Sequence, residues 1–220
     1  MEQPAARLND INARIAHAAR LARREAEEVT LIVVSKTHPA TRITPLIAAG
    51  QRVFGENRVQ EAAEKWPALL EAHGPIELHL VGQLQSNKAD EAARLFDCIH
   101  SLDRPSLVAA LARAMDKAAR QVPCFVQVNI GAEEQKGGCA IAALPELLAE
   151  ARAAGVPLLG LMCVPPAHIE PAPFFALLAK LADDHGLAGL SMGMSEDFET
   201  AVMLGATHVR VGSALFGGRG

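Results

Sequence analysis

The sequence contains no tyrosine, which removes one of the side chains that a barrel enzyme can use as an acid or base. Its four cysteines, Cys98, Cys124, Cys139 and Cys163, lie 26, 15 and 24 residues apart. They form no C-x-x-C pair and have no nearby histidine partner, so the spacing argues against a zinc site and for free thiols in a reducing cytosol. Positive charge is not in excess either. The 21 basic and 25 acidic residues leave a formal net charge of −4, and the basic ones are scattered. That excludes the electrostatic footprint of a nucleic-acid binder. No apolar run is long enough to span a bilayer, and the opening MEQPAARLND lacks the apolar core of a signal peptide. No G-x-G-x-x-G follows the first strand-like segment, which weakens a dinucleotide fold. Linker-like and low-complexity stretches are missing too, so the 220 residues, half of them hydrophobic, read as one domain.

What is present is a repeat. A helix over about 4–27 comes first, with Leu8, Ile11, Ile15, Ala18 and Ala22 on one face at helical spacing. It precedes every strand, so it is expected to plug or flank the sheet. Strands are then expected at 31–35, 51–54, 77–81, 98–101, 123–130, 158–163, 187–191 and 207–211. The fifth of these is the longest and clearest. Helices are expected between them, around 42–49, up to 71 with an interior Pro67, at 87–95, after Asp103, and at 143–154, 173–185 and 196–204. Eight strands, each followed by a helix or the terminus and none left over, predict a single-domain TIM-type (β/α)8 barrel. The N-terminal helix occupies 1–28 of it and the barrel 29–217.

In such barrels the functional face lies at the carboxyl ends of the strands. Here those ends read Ser35-Lys36, Gly55-Glu56-Asn57, Gly82-Gln83, Ser101-Leu102-Asp103, Asn129, Met162-Cys163, 191–195 and Gly212-Ser213. Two of them, Ser191-Met192-Gly193-Met194-Ser195 and Gly212-Ser213, read as small-residue turns able to cradle a phosphate after strands seven and eight. The plainer alternative is that Ser195, followed by Glu196 and Asp197, simply caps a helix. Lys36 closes the apolar run 31–35, where lost hydration favours the neutral, nucleophilic amine; a lysine that reaches out to solvent is the alternative. An amine facing a phosphate cup suits capture of an aldehyde phosphate as a Schiff base. Arg210, on the same face of its strand as His208 and Gly212, is placed to hydrogen-bond a pyridine nitrogen and leave it unprotonated. Pairing with a carboxylate across the barrel is the competing role.

The segments VVSKTHPA (33–40), FGENRVQE (54–61), LHLVGQLQSNK (78–88), IHSLDR (99–104), QVNIGAEEQKGGC (127–139), GLMCVPP (160–166) and SMGMSEDFETAVMLGATHVRVGSALFG (191–217) together resemble the pyridoxal-phosphate homeostasis proteins. These are single-barrel relatives of the N-terminal domain of alanine racemase. The resemblance implies pyridoxal 5'-phosphate carried on Lys36, Arg210 at the pyridine nitrogen, and Asn57 near the ring edge. Ser195 and the backbone of Met194, Gly212 and Ser213 would hold the phosphate. It also implies a monomeric cytoplasmic carrier or buffer, free of membrane and nucleic acid, that supplies PLP-dependent apoenzymes and influences amino-acid and keto-acid balance without turnover. His38 stands where the family often has a lysine, and Leu78 where it often has an aromatic. Lys136 keeps the E-x-x-K-G context and is either a secondary transfer site or a solvated loop lysine. Two enzymatic readings compete. A PLP-dependent amino-acid racemase would need a base, for which His79, His208 and Cys163 are the candidates in place of tyrosine. An aldolase-like barrel acting on sugar phosphates would need carboxylates near Lys36, and the nearest in sequence are Glu56 and Asp103.

Overall fold

Strand pairing in this computed structural model, which describes residues 4–217, runs round a complete circle. The strands are β1 (Thr30–Val34), β2 (Val53–Glu56), β3 (Glu77–Leu80), β4 (Cys98–Leu102), β5 (Cys124–Gln127), β6 (Leu158–Met162), β7 (Gly189–Met194) and β8 (His208–Val211). All neighbours are parallel, and β1 pairs with β8 through Ile32↔Arg210 and Val33↔Val211, which closes the barrel. Parallel pairing needs a crossover, and a helix supplies each one. They are α2 (Ala40–Ala48), α3 (Val59–His73), α4 (Ala89–Leu95), α5 (Pro105–Ala118), α6 (Leu144–Ala153), α7 (Ala172–Asp184) and α8 (Phe198–Met203). The helix α1 (Pro4–Leu21) precedes them, and a short α9 (Ser213–Phe216), absent from the sequence expectation, follows β8. The expected eight-stranded barrel is the observed fold.

The strands divide two environments by side-chain alternation. Outward residues such as Leu78 and Leu80 of β3 or Val209 and Val211 of β8 join the large apolar layer beneath the helices. Burying each Val or Leu there contributes about 1.5–3 kcal/mol before the entropy of ordering is subtracted. Inward residues make a second, small apolar cluster of Cys98, Phe125 and Met162. The rest of the interior is polar, with His79, His100, Ser191 and Arg210 all buried. Gly189 makes room for this layer: a Cβ there would meet the Phe125 ring at 2.9 Å. The helix α1 flanks the barrel instead of plugging it, packing Leu8, Ile11 and Ile15 into the layer shared with α8, α2 and α9.

Three boundaries differ from expectation for local reasons. Helix α1 stops at Leu21, not near 27, because Arg23 adopts a left-handed φ of 57° and Arg24 N–H donates back to Ala19 O at 2.9 Å. That is a Schellman ending without the usual glycine. Strand β5 is four residues, not eight, because Val128 leaves it for a lone bridge to Cys139. Strand β7, not β5, is the longest. It runs through 191–194, expected as a turn, because a bulge lets Ser191↔His208 and Met194↔Arg210 both pair. Gly193 supplies the bulge with a φ of +91°, and a Cβ there would lie 2.5 Å from Ala201 Cβ.

Candidate functional site

Three groups of residues meet at the carboxyl-terminal mouth of the barrel. The first lies at the ends of β7 and β8. Ser195 Oγ accepts the backbone N–H of Gly212 at 3.3 Å and of Ala214 at 3.4 Å. Both bonds are long, and both donors belong to the start of α9, where N–H groups have no partner within the helix. A hydroxyl oxygen thus sits where an anion's oxygen would be received. Ser195 does not cap α8, whose N-cap is Asp197. The Met194 N–H, expected at the same cup, donates instead to Asp197 Oδ1 at 2.5 Å. Burial pushes that Asp197 carboxyl above its ordinary range. Ser213 is exposed at the rim. Gly212 is forced to be small, since a Cβ there would meet Val34 O at 3.0 Å.

The second group is the loop after β1. Strand β1 ends at Val34, so Lys36 lies in a turn and not on the strand, with Thr37 at a left-handed φ of 63°. The turn is fixed from below. Lys65 Nζ donates to Ser35 O at 3.0 Å and to His38 O at 3.1 Å, while Thr37 N–H donates to Glu61 Oε1 at 2.5 Å. Lys65 in turn pairs with fully buried Glu56 at 2.7 Å, and Glu56 Oε1 also accepts Ser35 Oγ–H at 2.7 Å and Trp66 Nε1–H at 3.0 Å. His38 stacks on Phe216 of α9, ring centroids 4.1 Å apart, which ties the loop to the anion cup. Among the described residues Lys65, Lys88, Lys117, Lys136 and Lys180 each pair with a carboxylate, whereas half-buried Lys36 has neither an ion pair nor a hydrogen bond. One lysine of six is left with its amine uncommitted, in the turn that His38 ties to the cup.

The third group surrounds Arg210, buried on the inner face of β8. It donates through Nη1 to Ser191 Oγ at 2.5 Å and through Nη2 to Cys163 O at 2.8 Å. No carboxylate pairs with it among the described residues, so the cross-barrel ion pair does not form. Of the five guanidinium N–H groups, three have no acceptor in these contacts. Three imidazoles, His79, His100 and His208, pack below it, with ring centroids 5.0–6.0 Å apart. Burial holds His100 well below the ordinary histidine range and His208 down to about 4. An unfolded histidine titrates near 6.5, so below that pH the unfolded chain takes up protons that these two refuse. Their folded pKa values being depressed, stability is complete above pH 6.5 and falls below it. Each costs about 1.4 kcal/mol per pH unit, so moving from pH 7.5 to 5.5 is expected to remove about 3 kcal/mol. That corresponds to a melting point lower by about 6–12 °C for a chain of this size. Melts at the two pH values check it; coincident curves would contradict it.

The remaining expected residues are spread round the mouth. Asn57 follows β2, and its backbone is packed so tightly on Gly82 that a Cβ there would lie 2.2 Å from Asn57 O. It lines an open pocket of about 300 Å³ with Gln83, Gln127, Asn129, Lys136, Met162 and Val164. Lys136 is partly exposed in its loop but not unpaired: its Nζ pairs with Glu133 at 2.6 Å and donates to Pro165 O at 2.8 Å. Asp103 pairs with Arg104 at 2.6 Å and accepts Gly138 N–H at 3.3 Å, so like Glu56 it is committed to structure. The four cysteines are free and buried, but Cys98 is not isolated from histidine: ligand atoms of His79, Cys98 and His100 lie within 4.8 Å of one another. Sequence spacing conceals this because β3 and β4 bring them together. Sequence reasoning also missed Lys65, Ala214 and the buried role of Glu56. The one signal for the polar interior was alternation in β3, β4, β7 and β8, which puts Glu77 and His79, Cys98 and His100, Ser191, and His208 and Arg210 on inner faces.

Comparison with known proteins follows the same lines. Residues 11–220 match the family model of the alanine racemase N-terminal domain. The pyridoxal phosphate homeostasis protein of Pseudomonas aeruginosa is 41% identical over 216 residues, covering 95% of this chain and 93% of that protein. The structure of PipY from Synechococcus elongatus PCC7942 without PLP superposes with a TM-score of 0.86 at 38% identity, covering 98% of this chain and all of that one. The structure of PipY with PLP bound gives a TM-score of 0.82 at 40% identity, covering 92% and 100%.

Proposed function

The chain belongs to the pyridoxal phosphate homeostasis protein family, built on the alanine racemase N-terminal-domain barrel, and we propose from this that it is an intracellular carrier of pyridoxal 5'-phosphate. The observation that carries the proposal is the uncommitted amine of Lys36, in a turn that His38 packs onto Phe216 of the anion-cup helix. Lys36 Nζ is the point of covalent attachment. Ser195 and the N–H groups at Gly212 and Ala214 receive the phosphate, with Ser213 at its rim. Met194 contributes its N–H only by releasing Asp197. Arg210 meets the ring nitrogen with a hydrogen it has not spent on Ser191 or Cys163, and Asn57 borders the ring on the β2 side. When bound, the cofactor supplies a reactive aldehyde carbon and an electron-withdrawing ring. Arg210 limits the second, because a donor that keeps its proton leaves the ring nitrogen unprotonated.

The same geometry favours carriage over turnover. His79 is walled in, His208 is pushed down to about 4, and Cys163 is pushed up to about 12, so none is a competent base near neutral pH. With no tyrosine in the chain, a racemase lacks its second base. The alternative is kept alive by the family model alone. Exchange of the α-proton of alanine or serine in deuterated water, measured with loaded protein, decides between them: negligible exchange fits a carrier, and enzyme-like rates establish the racemase. We read the protein as a cytoplasmic monomer that delivers to apoenzymes and so influences amino-acid and keto-acid balance; among the described residues no helix is long and apolar enough to cross a membrane.

Binding itself is tested by titrating pyridoxal phosphate and, separately, pyridoxal. Losing two charge-assisted hydrogen bonds at about 1.5 kcal/mol or more each predicts at least about 100-fold weaker binding of pyridoxal. Equal affinities would remove the cup from the account.

A further inference from the structure

Arg210 is the upper end of a buried chain of hydrogen bonds that crosses the barrel interior. Ser191 Oγ lies 2.5 Å from Arg210 Nη1 and 2.8 Å from His100 Nδ1. His100 Nε2 lies 2.9 Å from His79 Nδ1, and His79 Nε2 lies 2.8 Å from Glu77 Oε1. Glu77 is the first residue of β3, at the opposite end of the barrel from the mouth, and its side chain is half exposed.

The direction of every bond follows from two facts: guanidinium nitrogens only donate, and the hydroxyl hydrogen of fully buried Ser191 has no acceptor among the described contacts other than His100 Nδ1. Ser191 Oγ therefore accepts from Arg210, and its single hydrogen goes to His100 Nδ1. That nitrogen is then bare, so His100 carries its proton on Nε2 and donates it to His79 Nδ1. His79 likewise carries its proton on Nε2 and donates it to the Glu77 carboxylate. One tautomer assignment accounts for all four bonds, and both imidazoles are neutral. The burial of His100, and its depressed pKa, agree with that state. The assignment also uses all four nitrogens of His79 and His100, so the proximity of Cys98 does not make a metal site in this arrangement.

We propose that Glu77, His79, His100 and Ser191 form a one-directional relay that positions the Arg210 guanidinium at the mouth. Arg210 would otherwise swing on a long side chain; here Ser191 from β7 and Cys163 O at the end of β6 fix its plane, and the relay fixes Ser191. Outer partners of this kind tune a functional group without touching its ligand. That Arg210 faces a cofactor ring rests on the function proposed above, whereas the polarity of the relay does not.

The first test uses the protein without cofactor. Nitrogen-15 NMR of its histidines between pH 6 and 8 is expected to find His100 neutral and protonated at Nε2. A His100 that is charged, or protonated at Nδ1, overturns the relay. Glu77→Gln, on the exposed end, is expected to fold normally and to shift the His100 resonances from the far side of His79. Unmoved His100 resonances overturn it as well, whatever becomes of the buried variants. The second test is affinity for pyridoxal phosphate. Ser191→Ala is expected to weaken it about tenfold, with Ser191→Thr, which keeps the hydroxyl, restoring most of the loss. If the wild type binds pyridoxal phosphate and Ser191→Ala binds it equally well, the positioning role is wrong and the carrier function stands. If the wild type binds none, the carrier function fails, and the NMR result still decides the relay.

Discussion

Lys36→Ala is expected to abolish covalent capture of pyridoxal phosphate while leaving the protein folded. The side chain is half-buried in the turn after β1, and its amine has no partner, so truncation breaks no bond of the folded chain. Substitutions of that kind usually change stability by less than about 0.5 kcal/mol, a melting-point change of about 1–2 °C here. The turn itself is held by Lys65 and Glu61 through backbone atoms, which alanine retains. Absorption spectra with added cofactor check the prediction: the wild type gives a yellow protein and the variant a colourless one with a native melt. No other lysine can take over without first breaking an ion pair. A variant as yellow as the wild type would place the attachment elsewhere.

The largest expected loss of stability comes from the pair beneath that turn. Lys65→Met removes the cation from a carboxylate that is fully buried, leaving Glu56 with only Ser35 and Trp66 as partners. Stranding a buried charge in this way costs about 3–5 kcal/mol, far more than the net worth of the intact pair. The melting point should fall by about 6–20 °C. The turn also loses two of its carbonyl tethers, so capture at Lys36 should weaken in the molecules that remain folded. The double variant Glu56→Gln, Lys65→Met removes both charges and should recover most of the loss, because the sites are coupled. A single variant that costs under about 1 kcal/mol would show that the pair does not carry the turn.

How much of this was legible in the sequence depended on whether the deciding contact was local. The eight-strand order was legible, because each strand–helix unit announces itself by a switch from period two to period 3.6 and by a glycine or proline at its end. The placement of Lys36, Ser195 and Gly212 just past strand ends was legible because it is a property of the local pattern. The β7 bulge was not: Ser191-Met192-Gly193-Met194 has the composition of a turn, and only pairing with β8 makes it a strand. The length of β5 failed for the converse reason, since the hydrophobic run 123–130 continues past the point where Val128 changes partner to Cys139. The role of Glu56 was invisible, because Lys65 and Trp66 reach it from within α3, nine and ten residues further along the chain. The polar interior was half visible. Alternation places His79, His100, Ser191 and Arg210 on inner faces, but only barrel closure decides that they meet one another.

The measurement that tests the central claim most directly is reductive trapping. The wild-type protein is incubated with pyridoxal phosphate, reduced with borohydride, digested and mapped by mass spectrometry. The account predicts one adduct, on Lys36, with the five ion-paired lysines unmodified. An adduct spread over surface lysines, or confined to Lys136, would contradict it.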